Sequence, residues 1–175
     1  ENALWVHTAG SIPMNIWQGH VARHGVLYPM QTFSKQREVD FGQIPCFVEG
    51  NSEEDGRLLK DISSALSEKV YEASSEQRKS LHLAAVFTCN FTNHMYVLAA
   101  ELLKKYGLPF EAMLPLIDET ARKVHELEPL AAQTGPAARY DENVIDEHLR
   151  MLADEPQMLE LYREISENIH RLAIR

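Results

Sequence analysis

The stretch Leu4-Trp5-Val6-His7-Thr8-Ala9-Gly10-Ser11 reads as a short apolar strand that runs into small polar residues. A second stretch of the same kind follows, Gly25-Val26-Leu27-Tyr28-Pro29-Met30-Gln31-Thr32-Phe33-Ser34. Two strands with polar residues at their carboxyl ends, joined by a helical connection, describe part of an open α/β sheet. In such sheets the ligand crevice lies beside those ends. No Gly-rich phosphate loop precedes the first strand, so the chain opens as though part of the fold were already built.

Working outward, the sequence alternates β and α for its first seventy or so residues, the signature of a largely parallel sheet with crossover helices. Leu4–His7 is the first predicted strand. Pro13 to about His24 is predicted helical, with Ser11 as its cap and Ile16, Trp17 and Val21 as its apolar stripe. Val26–Tyr28 and Cys46–Val48 are the next strands, and Lys69–Tyr71 the last. Between those two, Asn51 or Ser52 caps a helix whose first turn carries Glu53, Glu54 and Asp55, where the helix dipole favours acidic groups. Its apolar positions Leu58, Leu59, Ile62, Ala65 and Leu66 repeat at helical spacing.

Beyond Ala73 the pattern becomes wholly helical. One continuous helix is predicted from Ser75 to about Tyr106, where Gly107 and Pro109 end it. A helix from Pro109 or Phe110 to Leu127 follows, then a loop over 131–141, then helices near Glu142–Ala153 and Pro156–Ile174. The predicted division is a partial α/β domain over 1–73 and an all-helical domain over 74–175.

Composition narrows the function classes. The net charge of −9 is uneven: through Asn51 there are three Lys/Arg against four Asp/Glu, and beyond it 14 against 22. An acidic helical half without a basic run argues against nucleic-acid binding, which needs cations to displace counterions. Two cysteines give no disulfide framework, and a reduced, cytoplasmic protein is expected. No apolar run is long enough to span a bilayer, so no membrane partner is expected. His20 and His24, four apart on the predicted helix, could meet a metal but lack a third ligand nearby, and no metal is expected.

Taken together, His7-Thr8-Ala9-Gly10-Ser11, Tyr28-Pro29-Met30-Gln31-Thr32-Phe33-Ser34, Ile44-Pro45 with Glu49, and His82 with Ala84, Ala85 and Asn90 form an ordered set. Thr134-Gly135-Pro136 with Arg139 and Asp141, then His148-Leu149, complete it. This set resembles the 6-phosphogluconate dehydrogenase-like superfamily, which includes pyrroline-5-carboxylate reductase and prephenate dehydrogenase. Within it, the chain is most similar to a bacterial group assigned as NADP oxidoreductases, with a Rossmann-like domain and a helical domain of unknown function. The Gly-rich turn of that group does not occur in the sequence. The resemblance therefore implies the C-terminal portion of an NAD(P)-dependent oxidoreductase, using NADP or NAD on an unknown small polar substrate. The chain alone is expected to be inactive.

The resemblance also implies roles for particular residues. His7, Thr8, Ala9 and Gly10, with Pro29, Met30 and Gln31, would line the cofactor. Thr32, Ser34, Asn93, Thr134, Gly135 and Arg139 would contact substrate. His82 and Asn90 would be catalytic, His82 as acid or base and Asn90 orienting the substrate. An ordinary imidazole titrates near neutrality, which suits that task.

Each position has a bland reading beside the functional one. Ala9-Gly10-Ser11 could let a flat ring approach the backbone, or simply be a tight turn. His7 could face the crevice or be a satisfied strand histidine. Phe33 could fill the core beneath a polar connection. His82, Val86, Cys89, Asn90 and Asn93 fall near one helical face, and could serve a substrate or lock helices together. Arg139 could fork onto a carboxylate or pair with Asp141. Two functions follow: the oxidoreductase, expected to be a homodimer through its helical half, or a non-catalytic dimerisation or metabolite-sensing module of reductase-like shape.

Overall fold

The computed structural model describes residues 3–174. The chain forms two compact units, one up to Met95 and one from Tyr96 on.

The first unit is built on a four-stranded sheet of strands β1 (Leu4–His7), β2 (Arg23–Pro29), β3 (Cys46–Gly50) and β4 (Val70–Glu72), lying side by side in that order. β1 with β2 and β3 with β4 are parallel, whereas β2 with β3 is antiparallel. The connection from β2 to β3, residues 30–45, holds only a 3₁₀ turn, Phe41–Gln43, which Asp40 caps through the Gly42 amide. It brings the chain back antiparallel beside β2. Helix α1 (Glu53–Ser64) supplies the crossover from β3 to β4, and the Ser52 side chain caps it by accepting from the Asp55 amide.

α1 packs on one face of the sheet. Its Leu59 seats against Gly25, where a Cβ would come within 2.5 Å of Leu59 Cδ1 and of the Glu49 carbonyl. Cys46, Val48 and Leu59 are buried on this side with Ile44 close by in sequence, while Val26 is buried on the opposite face of the sheet. Asp55, buried at the start of α1, accepts from Arg23 of β2 and so fastens helix to sheet. Ser67 stops the chain before β4 by donating to the Ile44 carbonyl at 2.6 Å and accepting from the Lys69 amide.

The predicted helix over Pro13–His24 does not form. Only a 3₁₀ turn, Met14–Trp17, is present, Gly19 turns the chain at φ 79°, and β2 already begins at Arg23. Pairing with β1 claims these residues for the sheet, and tertiary pairing overrides the local helical spacing. His24 is therefore a buried strand residue and His20 an exposed turn residue, so the proposed four-residue helical spacing between them does not exist.

The long helix is present as a rod with a flaw. α2 (Ser75–Ala85) starts in a capping box between Ser74 and Gln77. The rod then opens into a π turn over Val86–Phe91 and resumes as α3 (Thr92–Lys105). Threonines mark the opening: Thr88 donates its hydroxyl to the Ala84 carbonyl, and Thr92 donates to Phe87 five residues back. Such back-bonding competes with the regular ladder and favours a wider turn.

In the second unit Gly107, at φ 68°, ends α3. A 3₁₀ turn (Phe110–Met113) leads into α4 (Leu114–Glu126). The expected loop over 131–141 contains two single helical turns, α5 (Pro129–Ala132) and α6 (Pro136–Arg139), each started by a proline. α7 (Glu142–Met151) and α8 (Pro156–Ala173) complete the unit. Tyr140 takes the left-handed conformation at φ 53° and stacks on His170 at 4.1 Å between ring centroids. His148 and Tyr162 are hydrogen bonded at 2.9 Å. Among the described residues no helix is long and apolar enough to cross a membrane.

Candidate functional site

The strand register assembles the site. His7 pairs with Val26, and Val26 with Glu49, so the three form one row across β1, β2 and β3. Paired residues of neighbouring strands project from the same face. The next row toward the carboxyl ends of β1 and β2 holds Tyr28, Phe47 and Tyr71, with ring centroids 6.4 and 5.4 Å apart in sequence. This aromatic face is opposite to the one that α1 covers, and it is where the polar groups of the first unit converge.

At its centre is Arg78, in the second turn of α2 and only 1% exposed. Its Nη2 donates to the Ile12 carbonyl at 2.9 Å, to Glu49 Oε2 at 3.2 Å and to Ser75 Oγ at 3.3 Å. Glu49 also accepts from the Ser75 amide at 3.0 Å and from the Ser75 hydroxyl at 2.7 Å. The same hydroxyl accepts from the Met14 amide at 3.0 Å. One buried ion pair thus ties β3, the start of α2 and the loop after β1 together. Burial pushes the Arg78 pKa down, while Glu49 opposes that change. Arg78 Nε and Nη1 have no hydrogen-bond partner among the described residues.

Around Arg78 stand two titratable rings. The His7 Nδ1 accepts from the Ala9 amide at 3.3 Å, which leaves the proton of the neutral ring on Nε2. Burial, then the Arg78 charge, lower the His7 pKa; the Pro13 carbonyl and Glu49 oppose this. Among the described residues His7 Nε2 is buried with no partner in hydrogen-bond geometry. Tyr28 has its pKa raised by burial, partly offset by Arg78, and it senses the Cys89 thiol on the π turn. The rod therefore runs along this face of the sheet from Arg78 toward Cys89, with His82 between them on the same stripe.

The positions expected from sequence are distributed unequally. Ala9 and Gly10 do sit at the tip of β1 beside His7, but the flat ring against Gly10 is that of Tyr28. A Cβ there would stand 2.7 Å from Tyr28 Cζ. Thr8 is exposed, while Pro29 and Met30 are half-buried. Gln31, Thr32 and Ser34 are exposed and line, with Phe33 and Arg37, a depression of about 310 Å³ beyond β2. His82 is half-buried, whereas Asn90 and Asn93 are exposed. In the second unit Thr134 and Arg139 are exposed, and Gly135, at φ 107°, caps α6. A larger cleft of about 670 Å³ lies at the carboxyl ends of β3 and β4, between the N-termini of α1 and α2. Glu49, Glu53 and Glu72 on its walls outweigh the one cation there among the described residues, Arg57, which disfavours an anion.

Sequence reasoning missed Ser75 and Arg78 as site residues. The available signal was Ser74-x-x-Gln77, which fixes the start of α2 and so places Arg78 one turn before His82. A charged residue on a stripe that continues into His82 and Val86 needs a buried partner.

A Rossmann-like α/β unit followed by a helical unit is the class that this fold and site define. Residues 44–169 match DUF2520, a domain of unknown function, and the chain belongs to that family. It is 74% identical, at a TM-score of 0.93, to a Bacteroides fragilis protein, BF3122, whose name gives it provisionally as an NADP oxidoreductase. The match covers 97% of this chain and 65% of that one, so the chain spans about two thirds of its relative's length. The Thermotoga maritima protein TM1727 is 26% identical at a TM-score of 0.80, over 99% of this chain and 70% of that one. The chain matches none of the curated proteins.

Proposed function

We propose that the full-length protein is an oxidoreductase that uses NADP and acts on a small polar substrate. The observation that carries this reading is the close identity to BF3122, a protein of that provisional name, across nearly all of this chain. The local chemistry fits the nicotinamide end of such a cofactor. The backbone of His7 to Gly10 and the Pro29 to Gln31 segment offer amides and a carboxamide at adjacent, parallel strand ends. The cofactor supplies the hydride chemistry. The chain's residues orient and handle protons: Tyr28 keeps its hydroxyl proton at neutral pH, and His7 stays neutral. Thr32 and Ser34 bind the substrate from the loop beyond β2, His82 acts as acid or base, and Asn90 and Asn93 orient it. Thr134, Gly135 and Arg139 contribute further substrate-binding groups, and the helical domain over 74–175 forms a homodimer.

Titrating the full-length protein with NADPH and NADH while following Trp5 and Trp17 fluorescence tests the proposal. Trp5 and Trp17 lie 5.8 Å apart beside His7, so a ligand at the β1 tip should change their emission. Saturable change with NADPH is expected, and silence up to millimolar nucleotide would end the reading. Sedimentation as a monomer at micromolar concentration would remove the dimer. The free thiols Cys46 and Cys89 fit a reducing compartment, and we place the protein in the cytoplasm.

A second reading, a non-catalytic dimerisation or sensing module, draws on the exposure of Asn90 and Asn93. Replacing His82 and Asn90 by apolar residues separates the two. Loss of turnover with folding intact favours the enzyme.

A further inference from the structure

We infer that Glu49, Ser75 and Arg78 are positioning residues, a clamp that sets the shape of the β1 tip for the ligand bound at the ends of β1 and β2. The identity of that ligand as a nicotinamide nucleotide rests on the function proposed above; the clamp itself rests on geometry.

Three observations carry it. The loop after β1 has little regular structure of its own, only the 3₁₀ turn Met14–Trp17. Its backbone is instead held at two points from α2, the Ile12 carbonyl by Arg78 and the Met14 amide by Ser75. Both holders are themselves fixed by one carboxylate, Glu49, which accepts from each. Charge-assisted bonds of this kind are stronger than neutral ones, and a buried network of them specifies one arrangement.

The consequence reaches the ligand side of the loop. Ala9 and Gly10 lie just before the held points: the Ala9 amide donates to His7 Nδ1, and the Gly10 α-carbon packs against the Tyr28 ring. Releasing Ile12 and Met14 would free the loop to swing Gly10 from the Tyr28 ring and Ala9 from His7 Nδ1. The charged and titratable groups facing His7 are Arg78 and Glu49, so the same release also changes the field on the imidazole. A clamp that only stabilised the fold would be reflected in melting temperature alone. A clamp that positions the tip will be reflected in ligand affinity and in the ring.

The test uses the full-length protein with Ser75→Ala, Ser75→Thr and Arg78→Lys, each checked by thermal melting so that binding is measured well below unfolding. Losing the Ser75 hydroxyl removes three bonds, to Met14, Glu49 and Arg78, and NADPH should bind about tenfold more weakly. Ser75→Thr keeps a hydroxyl and should bind within about twofold of the parent. Arg78→Lys keeps the charge, but its ammonium falls short of the Nη2 position from which all three bonds are made, and it should fall with Ser75→Ala. A second measurement needs no nucleotide: the His7 imidazole titration and the amide exchange of Ala9 to Met14, followed by NMR. Faster exchange and a shifted His7 titration in Ser75→Ala, restored in Ser75→Thr, support the clamp. NADPH affinity unchanged in Ser75→Ala overturns it, whatever happens to the melting temperature. If the parent binds no nucleotide, the oxidoreductase reading fails, and unaltered exchange and His7 titration in Ser75→Ala would then overturn the clamp as well.

Discussion

Gly10 and Tyr28 share one volume: the space where a Gly10 side chain would begin is filled by the end of the Tyr28 ring. The small residue at the tip of β1 is thus explained by a neighbour within the fold, before any ligand is considered.

That contact can be compared with a backbone one. Gly10→Ala meets only the mobile end of Tyr28, so the ring should shift at a cost of about 1 kcal/mol. Gly50→Ala would drive a methyl into the Gly56 amide of α1, where nothing can yield without moving the helix. A loss of about 3 kcal/mol is expected there. Urea unfolding of both variants checks the order, and equal costs would contradict it.

The clamp is asymmetric in burial. The Arg78 side chain is 1% exposed and that of Glu49 18%. Glu49→Gln leaves a buried cation without its counter-charge, and should cost about 3–5 kcal/mol. Arg78→Met leaves the better-hydrated carboxylate, still bonded by Ser75, and should cost less. Unfolding midpoints of the two variants decide this, and a larger loss in Arg78→Met would be the contrary result.

His7 links stability to pH. Its pKa is lowered in the folded protein, so below about pH 6.5 the unfolded chain takes up this proton first. The stability it contributes is complete above that value and is lost as pH falls toward the folded pKa. His7→Gln keeps an acceptor for the Ala9 amide but cannot titrate. Its urea midpoint should therefore vary less than the parent's between about pH 7.5 and 5.5. Parallel profiles would assign the pH dependence elsewhere.

The two thiols should differ in reactivity. Cys46 is fully buried, and burial pushes its pKa up, although Ser67 opposes this. Cys89 is only half-buried on the π turn. Brief alkylation of the native protein followed by mass spectrometry should label Cys89 alone, and Cys46 should react on unfolding. Early labelling of Cys46 would show that the sheet opens locally.

Sequence periodicity identified β1 residue by residue, α1 with its cap, and α7 and α8 to within a residue or two. It failed where long-range pairing decides. Ser11 to Val21 carries a helical stripe, yet β2 takes the following residues. The rod shows the subtler error: Asn90 and Asn93 were grouped with His82 by counting 3.6 residues per turn throughout. The π turn breaks that count, and both asparagines emerge exposed. Ser74-x-x-Gln77 marks where α2 starts, but the pairing of Ser75 and Arg78 with Glu49 joins that helix to β3, a long-range contact that no local spacing encodes. The resemblance reached the fold, a Rossmann-like unit followed by a helical one.

The widened turn at Val86–Phe91 has a consequence for how this segment can change over time. One extra residue in the winding rotates everything downstream by about a hundred degrees. The stretch from Ser75 to Ala85 and the stretch from Thr92 to Lys105 are therefore offset in phase, like two gears on one shaft set out of step. Substitutions in one stretch leave the angular setting of the other untouched, while a single deletion inside the turn would re-aim fourteen side chains at once.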